Sequence, residues 1–161
     1  MTDAVTRIRG LARLRSRLLA GVLSALLCAC GGSATGPEAE LRDWVQRGVA
    51  AAEGKKRREL AGMMSSAYVD ARGYDRDHVE NMLRAYFLRM NTIKLATSID
   101  EISVIDGSAA EVLITVGMAG THDGVLGFSA DAYQFALELE KGGSDWKLIS
   151  ARWGELGKEL R

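Results

Sequence analysis

Side chains equipped for covalent or metal chemistry are few and scattered. The 161 residues include two cysteines, Cys28 and Cys30, and two histidines, His78 and His122. A zinc site draws three or four nitrogen, sulfur or carboxylate ligands to one point, and these positions offer no such set, so no metal is expected. Gly127-Phe128-Ser129-Ala130-Asp131 lacks the second glycine of a nucleophile elbow and no helix follows it. There is no Gly-Lys-Ser/Thr phosphate loop, and no cofactor is expected. His122 has Asp123 beside it in a Gly-bearing stretch, Ala119 to Ser129 (AGTHDGVLGFS). That stretch reads as a long connection, either a lid or partner contact at the mouth of a cavity or a plain exposed loop. His78 falls in the first turn of a helix and is expected to face solvent.

The cysteines carry a clearer signal. Five arginines (Arg7, Arg9, Arg13, Arg15, Arg17) precede the apolar run Leu18 to Ala29, and Cys-Gly-Gly-Ser-Ala-Thr-Gly follows. A basic start, a short apolar core and a small-residue boundary make a secretory signal. Twelve residues span about 18 Å as a helix, too little for a hydrocarbon core of about 30 Å. Leu27-Cys28-Ala29-Cys30 resembles a bacterial lipobox, with Leu three positions before, and a small residue directly before, the cysteine that becomes the lipidated N-terminus. Cys30 fits, whereas Cys28 follows the bulky Leu27. Cleavage there discards Cys28, and a thioether-linked lipid uses the remaining thiol, so no disulfide is expected within the mature chain. The resemblance implies anchoring through lipid on Cys30, and Gly31 in the next position, where Asp often signals inner-membrane retention, points to the outer membrane, facing the periplasm. The division expected is 1–29 signal peptide, 30–36 lipidated cysteine and flexible linker, and 37–161 one domain.

Composition sets further bounds. Hydrophobic residues make up 47% and charged residues 26%, as in a globular domain rather than a disordered chain. Without the first 29 residues the count falls from 21 basic and 21 acidic to 16 and 20, a net of −4. Phosphate binding needs a surplus of Lys and Arg on one face, so nucleic acid is not an expected partner. The basic run Lys55-Lys56-Arg57-Arg58 reads as a solvated face or as a contact with anionic headgroups.

The elements that position these groups follow from periodicity. Leu41, Trp44, Val45, Val49 and Ala52 recur at steps of three and four from Pro37 to the stop at Gly54, which predicts a first helix. A second is expected from Arg57 to Ser66, with Leu60, Met63 and Met64 inward. A short extended piece around Tyr68 and Val69 leads to a turn at Gly73. Asp77-His78-Val79-Glu80 has capping-box spacing and opens a third helix whose stripe is Val79, Met82, Leu83, Tyr86, Phe87 and Met90. After Asn91 the period becomes two. Ile93, Leu95, Thr97 and Ile99 share a face, then Ile102 and Val104 take over, and this change of parity predicts a bulge near Asp100-Glu101. A hairpin at Asp106-Gly107 leads to Ala110, Val112, Ile114, Val116 and Met118. Tyr133, Phe135, Leu137 and Leu139 alternate in a third strand. In the last, Trp146 to Trp153, the pairs Trp146/Leu148 and Ile149/Ala151/Trp153 compete for the inward face.

Three helices before one bent antiparallel sheet make an α+β domain. The passages AAEGKKRRELAGMMSSAYVD and GYDRDHVENMLRAYFLRM, with the ending DWKLISARW, resemble the superfamily of nuclear transport factor 2-like proteins, also called SnoaL-like or cystatin-like. The resemblance implies a cone-shaped domain whose three N-terminal helices and strongly curved, mainly antiparallel sheet enclose a cavity. In the ketosteroid isomerase branch a carboxylate base follows the second helix, and Asp70 lies in that region. The Asp-Pro setting of that branch is missing and no Asp stands between Tyr133 and Leu139, so Asp70 reads as a turn or solvent residue instead. Candidate pocket residues are Trp44, Met64, Tyr68, Asp70, Tyr86, His122, Tyr133 and Trp153. With apolar walls abundant and acid-base pairs scarce, the expectation is a non-catalytic lipoprotein that binds a small apolar ligand or a partner protein, with a homodimer through the sheet as a further partner reading. The alternative is a lyase or isomerase of the SnoaL or ketosteroid isomerase type.

Overall fold

A computed structural model of the chain describes residues 36–122 and 128–161, and side chains other than those of 120–130. The signal, both cysteines, Asp123 and most of the linker lie outside the described residues. Helix α1 is Pro37–Glu53, α2 is Arg57–Met63 and α3 is Arg76–Arg89. They precede strands β1 (Met90–Ile105), β2 (Ala109–His122), β3 (Phe128–Gly142) and β4 (Asp145–Glu155), which form one sheet in the order β1-β2-β3-β4. Every neighbouring pair is antiparallel. The result is three helices packed on a curved, open, four-stranded sheet.

Helix α1 begins where a residue without an N–H is harmless, at Pro37, with Glu38 and Glu40 favourably placed in its first turn. It ends where the Gly54 N–H donates to the Ala50 carbonyl at 2.9 Å. Its buried residues Leu41, Trp44 and Val45 meet Val112, Ile114 and Val116 of β2, Leu137 and Leu139 of β3, and Trp146 and Ala151 of β4. The Trp44 indole donates to the Trp146 carbonyl at 3.1 Å, which satisfies a buried N–H and pins helix to sheet.

The bulge falls where parity requires it. Ile99 pairs with Ile114 and Glu101 with Leu113, leaving Asp100 as the extra residue. Its Oδ2 accepts from Thr115 Oγ1 at 2.7 Å and Gln134 Nε2 at 3.4 Å, tying the bulge across two neighbouring strands. A second irregularity explains the competing faces of β4. Leu139 pairs with Leu148 but Glu138 with Ser150, so Ile149 is extra and inward positions pass from Trp146 and Leu148 to Ala151 and Trp153.

Other boundaries differ from the sequence reading. Helix α2 stops at Met63, not Ser66, because the edge of β4 captures the next residues: Met64 bridges Leu148 in parallel, and the Ser65 N–H donates to the Leu148 carbonyl at 2.8 Å. The cap of α3 is Asp75, whose Oδ1 accepts from the His78 N–H at 2.8 Å, so Asp77 sits in the first turn. Glu80, expected in a capping box, instead pairs with Arg57. Of the stretch Ala119 to Ser129, the described residues are strand, with Ala119 paired to Ala130 and Thr121 to Phe128, while 123–127 lie outside the described residues. The basic run is partly tied down, since Lys55 donates to the Met90 carbonyl, Arg57 holds Glu80, and Lys56 lies 3.1 Å from Glu59.

Candidate functional site

The segment after α2 runs along the outer edge of β4. The Val69 N–H donates to the Ile149 carbonyl at 3.2 Å and the Ala71 N–H to the Ala151 carbonyl at 3.1 Å. A turn then closes through Asp70: its N–H donates to the Tyr74 carbonyl at 3.0 Å, and its carbonyl accepts from the Gly73 N–H at 2.9 Å. Gly73 adopts φ 81°, a conformation natural to glycine. The carboxylate joins in, Oδ1 accepting from the backbone N–H groups of Arg72 at 2.9 Å and Tyr74 at 2.8 Å. Asp70 is therefore a turn residue, as expected, yet not a solvent one: it is 5% exposed.

What Asp70 faces is a cavity of about 340 Å³. Trp44 and Gly48 come from α1, Leu60 and Met63 from α2, and Met64, Tyr68 and Asp70 from the connecting segment. Val79, Met82 and Leu83 come from α3, Phe135 and Leu137 from β3, and Leu148, Ala151 and Trp153 from β4. None of the α3 residues is fully buried, and Val79, Met82 and Leu83, the first half of the stripe that periodicity assigns to a packed face, border this space instead. A second apolar space of about 220 Å³ adjoins it, sharing Trp44, Gly48, Phe135 and Leu137 and reaching Leu95, Thr97 and Met118. Thr97 Oγ1 is buried there without a hydrogen-bond partner.

Two polar side chains stand on the main wall, Tyr68 and Asp70. Neither the Tyr68 hydroxyl nor Asp70 Oδ2 has a hydrogen-bond partner, and no cation pairs with the carboxylate, among the described residues. Burial, reinforced by the negative charge of Asp70, pushes the Tyr68 hydroxyl up to about 12. Arg72, next in the turn, places its guanidinium 3.4 Å from the centre of the Trp153 ring and donates to the Trp153 carbonyl at 3.1 Å. It braces the aromatic wall from outside and does not line the cavity.

Of the sequence-derived candidates, Trp44, Met64, Tyr68, Asp70 and Trp153 meet at this wall. Tyr86 and Tyr133 line neither apolar space. Only the first half of α3 borders the cavity, and Tyr86 lies a turn beyond it, where burial and the charge of Asp131 raise its pKa. Tyr133 lies one inward position past Phe135 and turns edge-on to Trp153 at 6.3 Å. His122 closes β2 opposite Met90, and its side chain falls outside the described ones. His78 stacks on Tyr74 at 4.2 Å, away from the cavity. Sequence reasoning did not name Gly48, Leu60, Val79, Met82, Leu83, Leu137, Leu148 or Ala151 as wall positions. Gly48 carried a signal, since a glycine inside a helix forgoes about 1 kcal/mol relative to alanine and calls for a packing reason. Among the described residues no group of three or more His, Cys, Asp or Glu is placed to hold a metal ion, and no helix is long and apolar enough to cross a membrane.

Solved structures share this architecture. A ketosteroid isomerase-like protein from Erwinia carotovora atroseptica superposes with TM-score 0.62 at 13% identity, over 74% of this chain and 96% of its own. A hexachlorocyclohexane dehydrochlorinase, LinA-type3, from Novosphingobium barchaimii gives 0.63 at 11% over 77% and 89%. A protein proposed to be a dehydratase of the NTF2-like family, from Streptomyces avermitilis, gives 0.65 at 13% over 76% and 97%. No protein-family model and no curated protein matches the sequence. The domain therefore has the nuclear transport factor 2-like cone fold, a scaffold compatible with both binding and catalysis.

Proposed function

We propose that the chain is a cell-envelope lipoprotein, held through lipid on Cys30 at the periplasmic face of the outer membrane, whose domain binds a small apolar molecule without transforming it. The observation that supports binding is the 340 Å³ cavity, walled by hydrocarbon and aromatic side chains with only Tyr68 and Asp70 polar. That is the composition of a ligand pocket, in which apolar walls supply affinity and a few polar groups fix orientation. A space of about 340 Å³ matches a small molecule better than a docked protein segment. Native mass spectrometry of the protein purified from its own membrane tests the reading. A retained small-molecule mass that is lost when Met64→Trp fills the cavity is the expected result; an unoccupied protein that also fails to take up apolar probes overturns it. The anchor is tested separately: Cys30→Ala should leave the membrane fraction, and unchanged fractionation with an unmodified N-terminal mass refutes it.

One observation favours a second reading. Asp70 and Tyr68 line the same space, and neither Asp70 Oδ2 nor the Tyr68 hydroxyl has a hydrogen-bond partner among the described residues; acid-base chemistry uses such groups. Structural neighbours include a dehydrochlorinase, a ketosteroid isomerase-like protein and a protein proposed to be a dehydratase. A lyase or isomerase would turn over a substrate in this cavity and lose that rate in Asp70→Asn while staying folded. The absence of a second carboxylate or a histidine from the described wall is why binding ranks first.

A further inference from the structure

The polar group on the cavity wall restricts what can occupy it. Asp70 lines the cavity and is 5% exposed, its Oδ1 accepts from two backbone N–H groups, and its Oδ2 has no hydrogen-bond partner among the described residues. Among the described residues no Lys, Arg or His lines the cavity, and none forms an ion pair with Asp70. A buried carboxylate left without a cation is costly, and whatever supplies one gains a charge-assisted hydrogen bond in a low-dielectric surrounding. Tyr68, on the same wall, has a hydroxyl whose ionisation burial and the charge of Asp70 oppose, so it stays neutral. The rings of Tyr68 and Trp44 on the same wall add aromatic surface of the kind that suits an organic cation.

We propose, resting on the binding reading above, that the ligand is an amphiphilic amine: a protonated nitrogen on Asp70 Oδ2 and an apolar body along Met64, Met82 and Phe135. An anionic amphiphile of the same length meets the carboxylate head-on and is excluded. Nothing in the described wall offers a fatty-acid or phosphate headgroup its counter-charge, which separates this site from a general lipid pocket.

The test uses the full-length chain in lipid nanodiscs, with empty discs as blank, and reads tryptophan fluorescence, since Trp44 and Trp153 both line the cavity. Hexylamine, 1-hexanol and hexanoate at pH 7 share a body and differ in head charge. Hexylamine should bind at least about tenfold more tightly than hexanol, the scale of one hydrogen bond to a charged group, with hexanoate weakest. Asp70→Asn keeps an oxygen acceptor for the turn and should remove the amine preference while hexanol binding persists. Equal binding of amine and alcohol to the wild-type chain overturns the proposal and leaves the binding reading intact, as does a preference that survives Asp70→Asn in a folded variant. Should none of the three probes bind the wild-type chain, the binding reading itself fails. The wild-type comparison decides the matter even where the variant does not fold.

Discussion

Gly48→Ala should make the protein more stable and its cavity less receptive. Gly48 lies inside α1 on the wall shared by both apolar spaces, and its φ is not positive. A methyl built there meets Met63 Cε at 3.4 Å and Sδ at 3.9 Å, ordinary contact with the flexible end of a side chain. Helix propensity favours alanine by about 0.8–1 kcal/mol. The new methyl gains little further burial, because its surroundings are open space. The net expectation is about 1 kcal/mol, which raises Tm by roughly 3–6 °C for a domain of this size. The same methyl intrudes into the space that the proposed ligand occupies, so hexylamine and hexanol should both weaken, whatever their heads. Gly62→Ala is the control. It lies in α2 with nothing within 4 Å of its added methyl, so it should stabilise by propensity alone and leave binding unchanged. Thermal denaturation followed by circular dichroism, paired with the fluorescence titration, reads both effects. A destabilised Gly48→Ala would mean the wall is packed rather than open. A stabilised variant with undiminished binding would place the ligand elsewhere.

Three further outcomes test other parts of the structure. Asp75→Ala removes the side-chain cap of α3 and should destabilise by about 1 kcal/mol, measured by urea denaturation, whereas Asp77→Ala should cost less. At Gly154 an added methyl would come within 2.8 Å of the Glu159 carbonyl oxygen, backbone that cannot swing aside. Gly154→Ala should therefore detach the C-terminal tail, and hydrogen exchange should show lost protection at Trp153 and Arg161, whose backbones pair at 3.1 and 3.3 Å. Tyr68 holds its proton up to about 12 in the folded state against an ordinary 10.0. Its contribution is thus intact below pH 10 and is lost as pH rises from 10 to 12. Absorbance of tyrosinate should show a late step that Tyr68→Phe removes.

Much of the architecture was legible in the sequence because burial on one face imposes a period. Val112, Ile114 and Val116 alternate without interruption, and β2 lies in the middle of the sheet. The bulge at Asp100 announced itself as a change of parity between Ile99 and Ile102. In β4 the same signal was present but ambiguous, since the extra residue Ile149 is itself apolar and both competing faces are inward on their own side of the bulge. Local signals at boundaries lost to distant partners. Ser65 is helix-compatible in isolation, but the Leu148 carbonyl claims its N–H.

The cavity obeys a different rule, and this explains why its key residue looked unremarkable. Apolar periodicity records which side of a helix avoids water, and an open apolar space avoids water as a packed interface does. Val79, Met82 and Leu83 therefore give one pattern for either arrangement. Asp70 sits among Tyr68, Ala71, Arg72 and Gly73, a sequence context typical of an exposed turn, and its Oδ1 does hold that turn. What buries it is the pairing of Val69 and Ala71 with Ile149 and Ala151, contacts remote in sequence that carry the turn to the rim between helices and sheet. One residue thus serves two demands: Oδ1 closes the backbone locally, and tertiary pairing carries the carboxylate to the cavity wall, where no cation pairs with it among the described residues.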